Sequence, residues 1–418
     1  MTEPRFIQIH YLTAYPASLL NRDDAGLAKR VPFGGAVRTR ISSQCLKRHW
    51  RMADGEHSLR TLDGSPGMSV RSRLIFEEKI VKELLSAKDG LKEDAIRAAA
   101  KAIQAAILGK SEKAKKAEED DENEAGSTEQ SKKDKAEDAA SLETNQVIVL
   151  GPPEIKFLRD LTRKIAGELP AKDPDKKAEE LVKARTDLGK NLKALGKAAS
   201  GLDGAVFGRM VTSDILARSD AAVHVAHAFT VHAEQAESDY FTAVDDLLAA
   251  AGELGSGHIN QTELTTGVYY GYVVVDVPLL VANIEGCERT EWKKADRKLA
   301  AGVVERLVHL IATVTPGAKV GATAPYACAQ MVLLEAGARQ PRTLANAFLK
   351  PVEASASGGL VESAVSALGD HVKAYERMYG AGEERRVAAM VDAKAIPATD
   401  GESLPAMASW AANLVKGG

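Results

Sequence analysis

The sequence predicts an α+β protein in which a dispersed sheet is interrupted by a long helical block. Three observations predict it. Period-two, strand-like segments recur near both ends of the chain, at residues 5–12, 205–212, 222–232, 267–277 and 325–335, the pattern of strands with one covered face. Between them, residues 70–85, 91–108 and 152–202 carry apolar positions three and four apart, which is helical spacing. A chain of 418 residues with 45% hydrophobic content can bury a substantial core and build more than one lobe.

Composition also excludes classes. No apolar run is long enough to span a bilayer, so a membrane protein is not expected. The opening MTEPRFIQIHYL has no apolar region behind a basic start, so no export signal is expected and the chain reads as cytoplasmic. Cys45, Cys287 and Cys328 are scattered and lack CxxC spacing, which fits a reducing compartment and argues against a zinc site.

Taken in order, the first strand is followed by a loop at Pro16 and Asn21-Arg22-Asp23-Asp24. Paired acids there can hold a divalent ion for phosphodiester cleavage, but two adjacent acids without a third ligand equally suit a turn. From Ala25 to Ala53 there is no acid at all, while Lys29, Arg30, Arg38, Arg40, Lys47, Arg48 and Arg51 supply seven positive charges. Val37, Thr39 and Ile41 alternate with Arg38 and Arg40, predicting a strand with one buried and one cationic face. Ser42 or Ser43 then caps a helix over 43–53, whose Cys45, Leu46, His49, Trp50 and Ala53 can face a core. Lys47, Arg48 and Arg51 fall on another side of it. The open N–H groups at its start and the serine hydroxyls suit a phosphate, and Gly34-Gly35 lets a backbone approach closely. An ordinary solvated helix face is the alternative. The missing acids, with strand and helix converging, favour a surface that follows a nucleic-acid backbone.

Further along, residues 110–140 hold eleven acids and seven lysines with nothing apolar larger than alanine, so a flexible insertion is expected. It accounts for a net −4 of the chain's −3, leaving the remainder at +1. The helical block carries Lys176, Lys177, Lys183, Lys190 and Lys193, readable as a solvated lysine face. A second helix of the sheet part is expected over 295–313. His224 and His227 fall on opposite faces of a strand, and His224 and His232 lie about 26 Å apart at 3.3 Å per residue, so no metal site is expected. Residues 236–266, SDYFTAVDDLLAAAGELGSGHINQTELTTG in large part, read as a projecting exposed loop in which Tyr240 and Phe241 can pack on the body. After residue 351 come helices at 361–378 and 405–415, the latter with Met407, Trp410 and Leu414 as its buried stripe.

Several long blocks carry a more specific signal: FIQIHYLTAYPASLLNRDDAG, VPFGGAVRTRISSQCLKRHWR, GRMVTSD, HAFTVH, SDYFTAVDDL, TTGVYYGY and TVTPGAK. In that order they resemble the CasC family, the crRNA-binding backbone subunit of the type I-E CRISPR Cascade complex, over roughly residues 5–350. The resemblance implies a ferredoxin-like, RRM-type palm at 1–53, 204–235 and 267–350, although the aromatic pair that stacks bases on an RRM sheet is not evident. It implies a helical finger lobe at 54–203, a thumb at 236–266 and a supporting C-terminal part at 351–418. It also implies a protein without catalysis or cofactor, whose partners are crRNA, target DNA, neighbouring copies of itself and other Cascade subunits. Carried over by residue, Arg22, Lys29, Ser42, Gln44, Lys47, Arg48 and Arg51 contact phosphate and sugar, with Arg38 and Arg40 as weaker members. Ala36 and Val37 stand where relatives can be more basic. Met210 in GRMVTSD matches a residue that props the adjoining bases, Arg209 beside it is a further RNA-binding candidate, and Tyr240, Phe241 and Thr242 match the thumb tip. Lys176 and Lys177 represent a sequence-blind contact of the finger lobe with duplex DNA. The rival is a metal-dependent RNA endonuclease built on Asp23 and Asp24. No Walker, HExxH or nucleophile-elbow motif offers an enzyme anything else.

Overall fold

A computed structural model describes residues 3–87, 89–108, 142–170, 173–185, 188–209, 216, 218–244, 256–317, 320–355, 358–399 and 401–417. The expected flexible insertion at 110–140 lies outside them, as does Met210. The chain divides into two compact units, one of residues 1–63, 223–280 and 289–418 and the other of residues 64–222 and 281–288.

The first unit carries an antiparallel sheet of nine described strands: β1 (Phe6–Ser18), β2 (Arg30–Phe33), β3 (Ala36–Ile41), β4 (Val223–Val225), β5 (Ala228–Thr230), β6 (Ala236–Val244), β7 (Ser256–Asp276), β8 (Met331–Gly337) and β9 (Glu384–Ala389). Its order is β9-β8-β1-β7-β5-β3-β2, with β4 and β6 also paired to β7. β1 is central and buried on both faces from Phe6 to Thr13, with Ile9 opposite Leu334 in β8 and Val273 in β7. Four helices serve the sheet: α1 (Ser43–Met52), α2 (Lys298–Thr313), α3 (Leu360–Tyr379) and α4 (Leu404–Lys416). On one face Leu12, Val268, Tyr270, Met331, Leu333 and Val387 pack with Ala364, Val365, Leu368 and Val372 of α3. On the other, α2 lies on β1 and against α4, burying Val304, Leu307, Val308 and Ile311. Removing such side chains from water, at about 25 cal/mol per Å², is the main stabilising term. Gly271 sits opposite Tyr11, and a Cβ there would lie 2.1 Å from the tyrosine ring, so only glycine lets that ring cross the strand.

Four expectations need correction here. The strand expected over 205–212 begins instead in a helix, Leu202–Phe207, buried at every position and bounded by Gly201 and Gly208 at φ of 88° and 80°, and residues 210–212 lie outside the described ones. A short, wholly buried apolar run has no period to distinguish the two. The helix expected over 70–85 opens as a strand, Val70–Ser72 pairing with Ile148–Leu150, and turns helical only afterwards, over Glu77–Val81 and Lys82–Ser86. The projecting segment is not a loop. β6 and the first half of β7 form a ribbon, in register from Ala236 opposite Thr265 to Val244 opposite Ser256, and β7 continues without a break into the body of the sheet. Residues 236–240 of β6 are exposed at every position, so the alternation of a strand with one covered face is missing there. In α4 the buried stripe is Met407, Ala408, Ala411, Ala412 and Val415, while Trp410 lies under the Arg386 guanidinium, 4.8 Å from ring centroid to Cζ.

The second unit packs Ile75, Phe76, Ile80, Ile96, Ile103, Leu158 and Ile165 into its own core, supplied mainly by helices Glu93–Leu108 and Pro152–Glu168.

Candidate nucleic-acid interface

The basic stretch folds as a hairpin, β2–β3, running into α1. Ser42 caps α1 as expected, its Oγ accepting from the Cys45 N–H at 3.2 Å. Leu46 and Trp50 are buried and anchor the helix. His49 Nδ1–H donates to the Cys45 carbonyl at 2.8 Å, leaving Nε2 to accept from the Gly317 N–H at 3.3 Å, which ties α1 to the TVTPGAK segment. Burial pushes the Cys45 thiol up to about 11, so it has no thiolate character near neutrality. Gln44 and Arg48 are exposed and Lys47 and Arg51 half-buried on this helix.

Asn21, which sequence reasoning passed over, joins the preceding loop to this helix. Its Oδ1 accepts from the Ser42 N–H and its carbonyl from the Lys29 N–H, each at 2.9 Å. Within the loop the Asp23 carboxylate accepts from the Leu27 N–H at 2.9 Å, and the Asp23 N–H donates to the Leu27 carbonyl at 2.8 Å. Asp23 therefore closes the turn that presents exposed Arg22. Among the described residues no three histidine, cysteine, aspartate or glutamate side chains converge as a metal site.

Arg38 and Arg40 share one face of β3, as alternation predicts, but only Arg40 is accessible. Arg38 is wholly buried. Its guanidinium donates to the carbonyls of Phe33 at 3.3 Å, Thr230 at 3.0 Å and Phe348 at 2.9 Å, so it is a structural clamp and not an RNA contact. The cover comes from residues 344–349, which lie over the face at that point, and Val37, expected inside, is exposed instead. The same segment explains Gly34. At φ 61° a Cβ there would lie 1.6 Å from the Leu349 carbonyl oxygen, so the backbone that approaches closely is the protein's own.

Arg40 donates to the Arg30 carbonyl at 3.0 Å and, at 2.9 Å, to Nδ1 of His227, an exposed residue just before β5. Burial first, then Arg40, Lys29 and Lys47, hold the His227 imidazolium below its ordinary range, which sets these three cations and His227 in one corner. Sequence reasoning considered His227 only as a metal ligand. The pairing of Arg40 with Phe229 across β3 and β5 is what brings it here, and no local signal announces that pairing.

The ribbon is fastened to this corner. Arg30 pairs with Glu234 and Glu263, and the Ala28 N–H donates to Glu263 at 2.6 Å. Arg30, one of the seven cations, is thus an anchor. Tyr240 is 62% exposed and sits midway along the ribbon opposite Gln261. Phe241 and Thr242 follow it on β6.

In the second unit Arg209 is buried. It pairs with Glu154 at 2.6 Å and donates to the Val149 carbonyl at 3.2 Å. Buried with Glu154, the Arg209 side chain offers no accessible surface to a phosphate in this structure. Lys176 and Lys177 are exposed, and Lys177 contacts Glu180 at 3.0 Å.

A second titratable cluster lies inside the sheet unit. Glu335, fully buried, accepts from Arg342, Arg385 and His10. Desolvation works against its ionisation, but hydrogen bonds from Arg342 and His10 prevail and hold it well below the usual carboxylate range. Burial keeps His10 neutral. Its Nε2–H therefore donates to Glu335 at 3.0 Å, and Nδ1 accepts from the Tyr270 hydroxyl at 2.9 Å.

Residues 7–415 match the family described as CT1975-like protein, and the chain belongs to that family. This bears out the CasC resemblance drawn from the sequence blocks. The chain is similar along 98% of its length to the whole of one from a structure described as "CRISPR RNA-guided surveillance complex, pre-nicking", at 26% identity and a TM-score of 0.71. A second, described as "CRISPR RNA-guided surveillance complex", shares the fold at 20% identity and a TM-score of 0.53, with 98% of each chain covered. No curated protein matches the sequence. No helix among the described residues is long and apolar enough to cross a membrane.

Proposed function

We propose that the chain is a non-catalytic crRNA-binding backbone subunit of a type I-E Cascade complex, repeating head to tail along the guide and presenting it to target DNA in antiviral defence. The observation that carries this reading is the match over the full length of a chain from an RNA-guided complex. The cationic corner supplies a seat for the phosphate chain. Arg22, Lys29, Arg40, Ser42, Gln44, Lys47, Arg48 and Arg51 hold phosphate and sugar, which positions the strand without reading it. Recognition is left to base pairing. The chain succession β1, α1, β5, β7, α2, β8 with sheet order β8-β1-β7-β5 supports a ferredoxin-like, RRM-type palm.

Exposure of Tyr240 on a solvated ribbon supports a wedge role for Tyr240, Phe241 and Thr242 against bases held by the next subunit. Stacking of this kind is worth about 1–3 kcal/mol per base and tolerates any sequence. A heterologous contact repeated along a strand yields an open filament. Exposed Lys176 supports the finger contact with duplex DNA, and the use of Asp23 in a turn supports the absence of cleavage.

Purified from cells that make a guide, the protein should carry a discrete short RNA. Its affinity for single-stranded RNA should fall with salt at a log–log slope near −0.7 per phosphate contact, shallower by about that amount in Lys47→Ala. Protein free of RNA, with no salt-dependent binding, overturns the reading. Mg²⁺-dependent cutting of complementary RNA that disappears in Asp23→Ala replaces it with an endonuclease.

A further inference from the structure

The corner contains one group whose charge is not fixed. In the free protein the Arg40 N–H points at Nδ1 of His227 over 2.9 Å. Because a guanidinium can only donate, Nδ1 must be the acceptor and the imidazole carries its hydrogen on Nε2. Protonating Nδ1 in this arrangement would set two donors against each other. The charged groups that act on His227 belong to three segments: Arg40 on β3, Lys29 in the loop before β2, and Lys47 on α1. All three are cations, so they oppose imidazolium formation together.

A phosphodiester changes both conditions. Its oxygen is a stronger acceptor than an imidazole nitrogen and is anionic, where the charged groups acting on His227 are all cations. We propose that Arg40 and His227 form a proton-linked phosphate clamp: a strand phosphate replaces Nδ1 as the acceptor of the Arg40 N–H, and His227 takes a proton from solvent onto Nδ1 and donates it to the same phosphate. The inference rests on the RNA-binding reading of this corner and adds His227 to it. No bond breaks in the strand, and the single proton balances as uptake from buffer on binding and release on dissociation. Since the bound form holds one more proton, affinity rises as pH falls through the interval between the free and bound titrations.

The test uses an oligouridylate, whose bases do not titrate in the range concerned, and the intact protein at constant ionic strength between about pH 8 and about pH 5.5. Wild-type affinity should climb as pH falls, with the slope of log affinity against pH approaching one proton, a tenfold gain per pH unit at its steepest. His227→Gln should bind with a flat profile, and His227→Arg with a flat profile at higher affinity than His227→Gln. Calorimetry in two buffers of different ionisation heat should register net proton uptake by the wild type, a readout that stands even if a variant folds poorly. RNA binding with no pH dependence and no uptake in the wild type, or an unchanged slope in His227→Gln, overturns the clamp while leaving the RNA site standing. Failure to bind oligouridylate at any pH or salt overturns the RNA-binding reading and the clamp with it.

Discussion

One strand in from the β9 edge, covered by α3, Glu335 gathers Arg342, Arg385 and His10, whereas one strand in from the opposite edge Lys29, Arg40 and Lys47 crowd around an exposed imidazole. Both clusters belong to one sheet, yet they are built on opposite terms. The interior one contains its own counter-charge, because an unmatched ion in that setting costs several kcal/mol. The exposed cluster sets three cations on one histidine, which water tolerates and a polyanion would neutralise. What covers the sheet, rather than residue type, separates an arginine that holds the fold together from one that can meet a ligand.

That contrast can be broken most severely at Glu335. Glu335→Ala removes the buried carboxylate shared by Arg342 and Arg385, leaving Arg385 with Glu376 and Glu383, and breaking this buried pairing should cost about 3–5 kcal/mol in urea unfolding; a loss under 1 kcal/mol would mean the cluster contributes little to stability.

Acid reaches the same cluster by a milder route. His10 titrates below its ordinary 6.5 in the folded chain and Glu335 below its ordinary 4.5, so in both cases the unfolded state binds more protons as pH falls. Unfolding midpoints should therefore drop first below about pH 6.5 and again below about pH 4.5. A midpoint constant from neutrality down to pH 4 would contradict this.

The finest comparison lies within β3. Arg38→Ala leaves the buried carbonyls of Thr230 and Phe348 without this donor and should destabilise by about 1–3 kcal/mol, with the RNA salt dependence unchanged. Arg40→Ala should shift stability by no more than about 0.5 kcal/mol yet flatten the salt slope by roughly 0.7. Chemical denaturation and filter binding, run on both variants, decide whether the two arginines differ as described.

How far the sequence could lead is visible at these same residues. Helix α1, its Ser42 cap and its buried Leu46 and Trp50 were legible because all the signals are local. Alternation correctly placed Arg38 and Arg40 on one face but could not say what covers that face, since the cover at Phe348 lies 310 positions away. His227 stayed hidden for a related reason: its meeting with Arg40 depends on β3 pairing with β5, which no nearby residue encodes. The ribbon was misread because residues 236–240 are exposed at every position, so the usual sign of a strand is missing there while the pairing is present. The placement of Met210 lies outside the described residues, and the role of the thumb residues rests on the family resemblance.

β7 runs for 21 residues from beside β1 out along the ribbon, and the ribbon's foot is bolted through Glu263 and Glu234 to Arg30. The arm is thus cut from the same strand as the trunk, with one slip in pairing at Tyr15–Ser18 where the two meet. At that foot it is moored by side chains as well as backbone to the segment bearing Lys29.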